Sequence, residues 1–252
     1  MNKNDLIIIA HRGESYDAPE NTLASINLAW ERNAYAVEVD VRLTKDEKII
    51  LIHDKSTWRT GGVYKRVASN YYDQLLKVDV GKFKGTKWKN ERIPLLTEVI
   101  ETIPAEKKLF VEIKSGNKII KPLENVLSQK NINPDQIKFI GFNIKTMKLV
   151  KKTFPQYESY WILEKREYKT EYRLKKVIDK CLSANLNGLD VEESKFLNRD
   201  VIQNIKEAGL KIYTWTVDDT ERAGQLVGDG IHGITTNRAH WLKTKLTEEK
   251  II

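Results

Sequence analysis

Four short segments of this chain carry residues able to do chemistry together. They are His11-Arg12-Gly13 with Pro19-Glu20-Asn21-Thr22 just beyond it, Glu38-Val39-Asp40, His53-Asp54, and Glu112-Ile113-Lys114. Glu38 and Asp40 are separated by one residue inside an apolar run, as are Glu112 and Lys114, so on strands each pair shares a face. Three carboxylates from two strand ends form a hard-oxygen pocket suited to Mg²⁺ or Ca²⁺, with water and a substrate oxygen completing the shell. His11 and His53 stand at two other run ends, and a histidine pair beside a divalent cation suits acid–base work near neutral pH. Arg12 offers a planar fork to phosphate oxygens and Lys114 a point charge. The set amounts to a metal-assisted phosphoryl-transfer site. A packed core has no use for such residues, since an unpaired charge there costs several kcal/mol.

The elements that must position these residues follow from hydrophobic patterning. Apolar, β-branched runs occur at 6–10, 36–43, 49–53, 109–114, 137–142, 159–163, 186–191, 211–217 and 231–235. Amphipathic stretches between them predict helices near 20–32, 95–103, 118–130, 144–152, 171–184, 198–208, 219–227 and 238–246. Several runs are continuous rather than alternating, Ile7-Ile8-Ile9 for example, as suits strands covered on both faces. Only five residues separate 36–43 from 49–53, too few for a crossover helix, so these two are expected to pair as a hairpin. Eight parallel strands then remain, which predicts an α/β fold of the TIM-type (β/α)₈ class. Residues 54–93 break the alternation and are rich in Lys, Gly, Trp and Tyr. They read as a small insertion after the second strand region, lying over the barrel mouth, within a single catalytic domain spanning 1–252.

At 252 residues the chain fits one such barrel. The net charge of +8 raises the question of a nucleic-acid or anionic-surface partner. Residues 144–180 hold eleven Lys or Arg against five Asp or Glu, but these interleave with Ile144, Met147, Val150, Leu174 and Val177 at helical spacing. They read as solvated helix faces, and no nucleic-acid partner is expected. The single Cys181 excludes an intrachain disulfide and a cysteine zinc site. No run approaches the roughly 18 apolar residues of a membrane span, so no stable membrane anchor is expected. Met1 to Asp5 lead directly into a four-residue apolar run without a signal-like cleavage site, and the expectation is a cytoplasmic protein. Oligomeric state is left open.

The His11-Arg12-Gly13…Pro19-Glu20-Asn21-Thr22 opening, Glu38-Val39-Asp40, His53-Asp54, the stretch Ile93-Pro94-Leu95-Leu96-Thr97-Glu98 and Glu112-Ile113-Lys114 resemble the glycerophosphodiester phosphodiesterases. So do Gly141-Phe142-Asn143, Thr214-Trp215-Thr216-Val217-Asp218 and Gly233-Ile234-Thr235-Thr236-Asn237, in order along nearly the whole chain. The resemblance implies hydrolysis of a glycerophosphodiester to an alcohol and sn-glycerol 3-phosphate. It further implies a divalent cation, Mg²⁺ or Ca²⁺, on Glu38, Asp40 and Glu112, and an acid–base pair of His11 and His53. Arg12 and Lys114 would neutralise the phosphate, and Trp215 would be either a substrate-facing aromatic wall or barrel packing. Neither histidine is assigned as base or acid. Glu20-Asn21-Thr22 reads as structural, Phe142 as core, and His232 and His240 as structural or exposed. Two other readings stay open: phospholipase-D-like cleavage of lysolipids or glycerol-phosphate polymers, and a non-catalytic phosphate-binding barrel.

Overall fold

The computed structural model describes residues 6–128 and 132–252. Among the described residues nine strands form: β1 (Ile7–His11), β2 (Ala36–Leu43), β3 (Ile49–Leu51), β4 (Lys108–Ile113), β5 (Ile137–Gly141), β6 (Glu158–Leu163), β7 (Gly188–Glu192), β8 (Lys211–Trp215) and β9 (Gly233–Thr236). Eight are parallel and close into a ring in the order β1-β2-β4-β5-β6-β7-β8-β9, with β9 returning to β1. This is the TIM barrel expected from the patterning. β3 lies outside the ring, antiparallel to β2 with Val41 opposite Leu51, as the short gap between them requires. The Ile52 amide extends that pairing by donating to the Asp40 carbonyl at 2.9 Å, which carries His53 to the rim beside β2.

Strand alternation sorts the ring into two surfaces. Outward residues such as Val37, Val39, Leu109, Val111 and Ile212 are buried against the surrounding helices. Inward residues form layers. At the N-terminal end Glu158 pairs with Lys138 at 2.6 Å and Lys211 at 2.7 Å and accepts from the Tyr160 hydroxyl at 2.7 Å. Above it the rings of Phe110, Tyr160 and Tyr213 meet with centroids 5.0–6.3 Å apart. Glu38, Asp40 and Glu112 occupy the remaining, C-terminal layer.

The first helix runs over Leu23–Glu31, later than the predicted start near 20. Asn21 stands at φ +56°, outside helical backbone, and the Thr22 side chain caps the helix by accepting from the Ser25 amide. The helix expected over 118–130 runs over Ile120–Ser128 behind a 3₁₀ turn, and residues 129–130 of that expectation lie outside the described residues. So do residues 1–5, on which the signal-peptide reading rested. In the basic window Lys145, Lys148, Lys152, Lys175 and Lys176 are exposed while Met147, Val150, Leu174 and Val177 are buried, the solvated faces expected. Cys181 is buried, and burial pushes its thiol up to about 12, so it is a packing residue. Among the described residues no helix is long and apolar enough to cross a membrane.

The insertion folds as five short helical turns over a small core of its own, in which Val67, Leu75, Val78 and Val80 pack on Ile50 and Ile52. It packs against β3, and the lining of the mouth cavity includes no residue from 54–93. It reaches the rim through Arg59, which pairs with Glu20 at 2.6 Å and Asp54 at 2.7 Å, and through Lys84, whose Nζ donates to the Ser15 carbonyl at 2.7 Å.

Candidate active site

His11 ends β1, Glu38 and Asp40 face inward from β2, and Glu112 faces inward from β4 with Lys114 just beyond it. All converge at the C-terminal mouth, where a cavity of about 240 Å³ is lined by His11, Arg12, Glu38, His53, Glu112 and Lys114. The loop after β1 makes this possible. Arg12 at φ +56° and Gly13 at φ +82° turn the chain sharply, and a Cβ on Gly13 would lie 2.5 Å from Ser25, so only glycine fits. The turn aims the Arg12 amide at Glu38 Oε2, 3.0 Å away. Asn21 then clamps Asp40 twice, donating Nδ2 to Oδ2 at 2.8 Å and accepting the Asp40 amide on Oδ1 at 2.9 Å. The Pro-Glu-Asn-Thr segment is structural, as expected, but its structure serves the site directly.

One oxygen each of Glu38, Asp40 and Glu112 can be chosen so that all lie within 4.8 Å of one another. Cations partly satisfy this cluster. Lys114 Nζ lies 2.6 Å from Glu112 and 3.1 Å from Asp40, while Arg12 Nε lies 3.0 Å from Asp40 and its Nη1 3.0 Å from Glu20. Burial works against ionising Asp40, but Lys114 and Arg12 outweigh it and hold that carboxyl well below the usual range. Burial, reinforced by the Asp40 charge, pushes Glu112 up to about 7 and raises Glu38 as well. Glu38 Oε1 is buried with no hydrogen-bond partner. A buried carboxylate oxygen with no partner, beside two more acids, is what an oxygen-ligated divalent cation would satisfy, so the residues fit one.

The two histidines are held differently. His11 Nδ1 lies 2.7 Å from Asn237 Oδ1. The Asn237 amide is itself oriented by Asp218, which accepts from its Nδ2 at 2.6 Å and from its backbone N–H at 2.8 Å. With the amide oxygen facing the ring, Nδ1 is the donor and Nε2 carries the free lone pair. Burial, with the Arg12 charge, lowers His11 to about 4. His53 is half-exposed at the rim, its Nδ1 2.8 Å from Asp54 Oδ1. Burial lowers it too, against the opposing pull of Asp40. Arg42 stays out of the acidic cluster: its Nε and Nη2 donate to the His53 carbonyl at 2.9 and 2.7 Å.

The far wall of the cavity comes from β5 to β8. Trp215 lines it while packing on the inner core, and its ring meets Phe142 edge-on at 5.7 Å. Phe142 was expected in the core but is 41% exposed, because it is the residue after β5 and stands on the rim. Asp190 was missed. It faces inward from β7, lines the cavity, and is buried with Oδ1 unpartnered, so burial raises it far above an ordinary aspartate. Its signal was an acid two residues past Gly188 in an apolar run, without a second motif residue beside it. His232 Nδ1 accepts the Ile212 amide at 3.1 Å, a structural role.

Residues 11–240 match the Glycerophosphoryl diester phosphodiesterase family. The chain is 30% identical over 236 residues to the glycerophosphodiester phosphodiesterase of Caldanaerobacter subterraneus subsp. tengcongensis, covering 92% of this chain and 93% of that one. It is 24% identical over 255 residues to a glycerophosphodiester phosphodiesterase of Bacillus subtilis, covering 94% of this chain and 85% of that one. A phosphodiesterase of Oleispira antarctica, solved in complex with the product sn-glycerol-3-phosphate, superposes with a TM-score of 0.86 at 26% identity, covering 96% of each chain. Family match, relatives and barrel agree, and the chain belongs to the glycerophosphoryl diester phosphodiesterase family.

Proposed function

We propose that this protein hydrolyses glycerophosphodiesters to an alcohol and sn-glycerol 3-phosphate. The observation that carries the reading is the cavity itself, where three acids able to hold a divalent cation share one mouth with two differently held histidines and two cations. Glu38, Asp40 and Glu112 would hold Mg²⁺ or Ca²⁺. When bound, such an ion polarises a phosphoryl oxygen and offsets the negative charge of the transition state.

His11 is the base in this reading. It is neutral, buried, and presents Nε2 to the cavity, so it takes the proton of the glycerol 2-hydroxyl as that oxygen bonds to phosphorus. His53 is the acid. Asp54 stabilises its imidazolium, the incoming phosphodiester charge favours it further, and it protonates the alcohol oxygen as the P–O bond to the leaving group breaks. Water then opens the cyclic phosphate with the roles reversed: His53 takes the water proton and His11 returns its proton to the glycerol oxygen. Arg12 and Lys114 neutralise phosphate oxygens, giving up part of their pairing with Asp40 and Glu112. Asp190 hydrogen-bonds the remaining glycerol hydroxyl, and Trp215 with Phe142 walls the glycerol carbons.

A second reading, cleavage of lysolipids, is favoured by the exposed Trp58, Tyr64, Tyr71 and Phe83 of the insertion. Release of glycerol 3-phosphate from glycerophosphocholine and glycerophosphoethanolamine is to be measured with Mg²⁺, with Ca²⁺ and with EDTA. Turnover that EDTA abolishes and one ion restores supports the first reading; turnover of lysolipids alone replaces it with the second.

A further inference from the structure

A second cavity, of about 350 Å³, adjoins the catalytic one on the His53 side. It lies between the β2–β3 turn, the start of the insertion and the segment after β4. Arg42, Lys45, Lys55, Arg66 and Lys118 line it, against one acid, Glu47. Among the described residues none of these five cations makes an ion pair, in contrast to Arg12, Arg59 and Lys114 at the neighbouring mouth. Lys45 lies over the Tyr71 ring at 4.7 Å, which places its charge without neutralising it. Like charges gathered in one concavity repel each other and raise the local positive potential, which an anion would relieve.

The two cavities share a wall. Arg42 lines the basic cleft and grips the backbone of His53, which lines the catalytic cavity. Lys114 and Ser115 are consecutive, and Lys114 faces the catalytic cavity while Ser115 faces the cleft. The glycerol side of the catalytic cavity, by contrast, is closed by Ile140, Ile162 and Asp190. A leaving alcohol that takes its proton from His53 therefore departs toward the cleft.

We infer that the cleft is a binding site for a second phosphate group, carried by the leaving alcohol, so that the preferred substrates are glycerophosphodiesters whose alcohol is itself phosphorylated. The inference rests on the hydrolase reading above. Arg42, anchored at its Nε and Nη2 on the His53 carbonyl, forms the floor, while Lys45, Lys55 and Arg66 close over the phosphate from the exposed sides. Lys118 completes the ring, and Ser115 Oγ, which already accepts the Leu43 amide at 2.8 Å, can donate its hydroxyl proton to a phosphate oxygen.

The test compares glycerophosphoglycerol with the same compound phosphorylated on its leaving glycerol, on wild type and on the Lys45→Glu/Lys55→Glu/Arg66→Glu variant. For wild type at low salt the phosphorylated substrate should show a KM lower by about tenfold, an advantage that shrinks as salt is added. The variant should lose that advantage with kcat unchanged, and its kinetics on glycerophosphoglycerol should match wild type, which also shows that it folds. Equal KM values for the two substrates on wild type, or an advantage surviving in the variant, would overturn the inference while leaving the hydrolase reading intact. Calorimetric titration of EDTA-treated protein with the phosphorylated substrate separates the readings further. Salt-sensitive binding that the variant loses, without turnover of either substrate by metal-loaded wild type, would keep the cleft and remove the hydrolase reading.

Discussion

Asn237 Oδ1 sits 2.7 Å from His11 Nδ1, joining the start of the last helix region to the end of the first strand. Asp218 makes this contact directional by holding the Asn237 amide nitrogen. Replacing Asn237 with Ala is expected to lower kcat on the order of 10²-fold with KM nearly unchanged, because the ring keeps its place but not its tautomer. Nitrogen-15 NMR of the imidazole checks the cause. Wild type should show His11 protonated at Nδ1, and N237A a mixture of both tautomers.

Metal binding and pH are expected to be linked through Glu112. Its raised value, about 7, means the metal-free folded protein binds a proton that the unfolded chain releases near 4.5. That contribution to stability is present below about pH 4.5 and is lost as pH rises through about 7. A divalent cation must displace the proton. Thermal melts in EDTA should therefore lose stability between pH 5 and 8 relative to melts with Mg²⁺ or Ca²⁺, and the ion's affinity by calorimetry should rise over the same window. A metal-induced increase in Tm that is independent of pH would refute the assignment.

Asp190 sets stability against recognition. Its buried oxygen lacks a partner, so D190L is expected to raise stability by about 1–3 kcal/mol, read by denaturant titration. The same change should cut kcat/KM for glycerophosphocholine on the order of 10²-fold or more. It should leave turnover of an analogue lacking the terminal glycerol hydroxyl nearly unaltered. A variant that gains stability and loses no selectivity would show the acid to be idle.

Gly13 tests the loop. G13A forces a Cβ into Ser25 at a backbone angle that penalises side chains, and should cost about 1–3 kcal/mol. Because the neighbouring Arg12 amide anchors Glu38, divalent-ion affinity should fall together with stability. Calorimetry on the folded variant reads the second effect separately.

The barrel was legible because its strands announce themselves by continuous apolar runs and its crossovers by helical spacing. The short Thr44–Lys48 connection pointed to the 36–43/49–53 hairpin, of which β3 is the strand outside the ring. Glu38, Asp40, His11 and His53 were legible as candidates because each sits in a compact motif, His11 and His53 at or just beyond a strand end and Glu38 and Asp40 alternating within β2. Phe142 was misplaced because position along a strand decides burial, and an aromatic one residue past the end looks the same in sequence as one inside it. Asp190 and Asn237 eluded recognition as site residues for a different reason. Their roles depend on what lies across the ring, and neither local period nor spacing reports a partner on another strand. The insertion's seat against β3 likewise depends on Ile50 and Ile52, whose outward side is invisible until the hairpin is placed.

The ring closes where β9 meets β1, and His11 draws its orienting partner from across that seam, 226 residues away. Synthesis proceeds from the opposite direction. A ribosome that has completed β8 has already produced both histidines, all three acids, Arg12 and Lys114, yet not Asn237. A growing chain thus carries these groups before the strand that closes the ring, and the residue that orients His11, have been made. Any cut or arrest that spares everything except this closing segment is expected to leave the ring open between β1 and β8 and His11 without the partner that orients it.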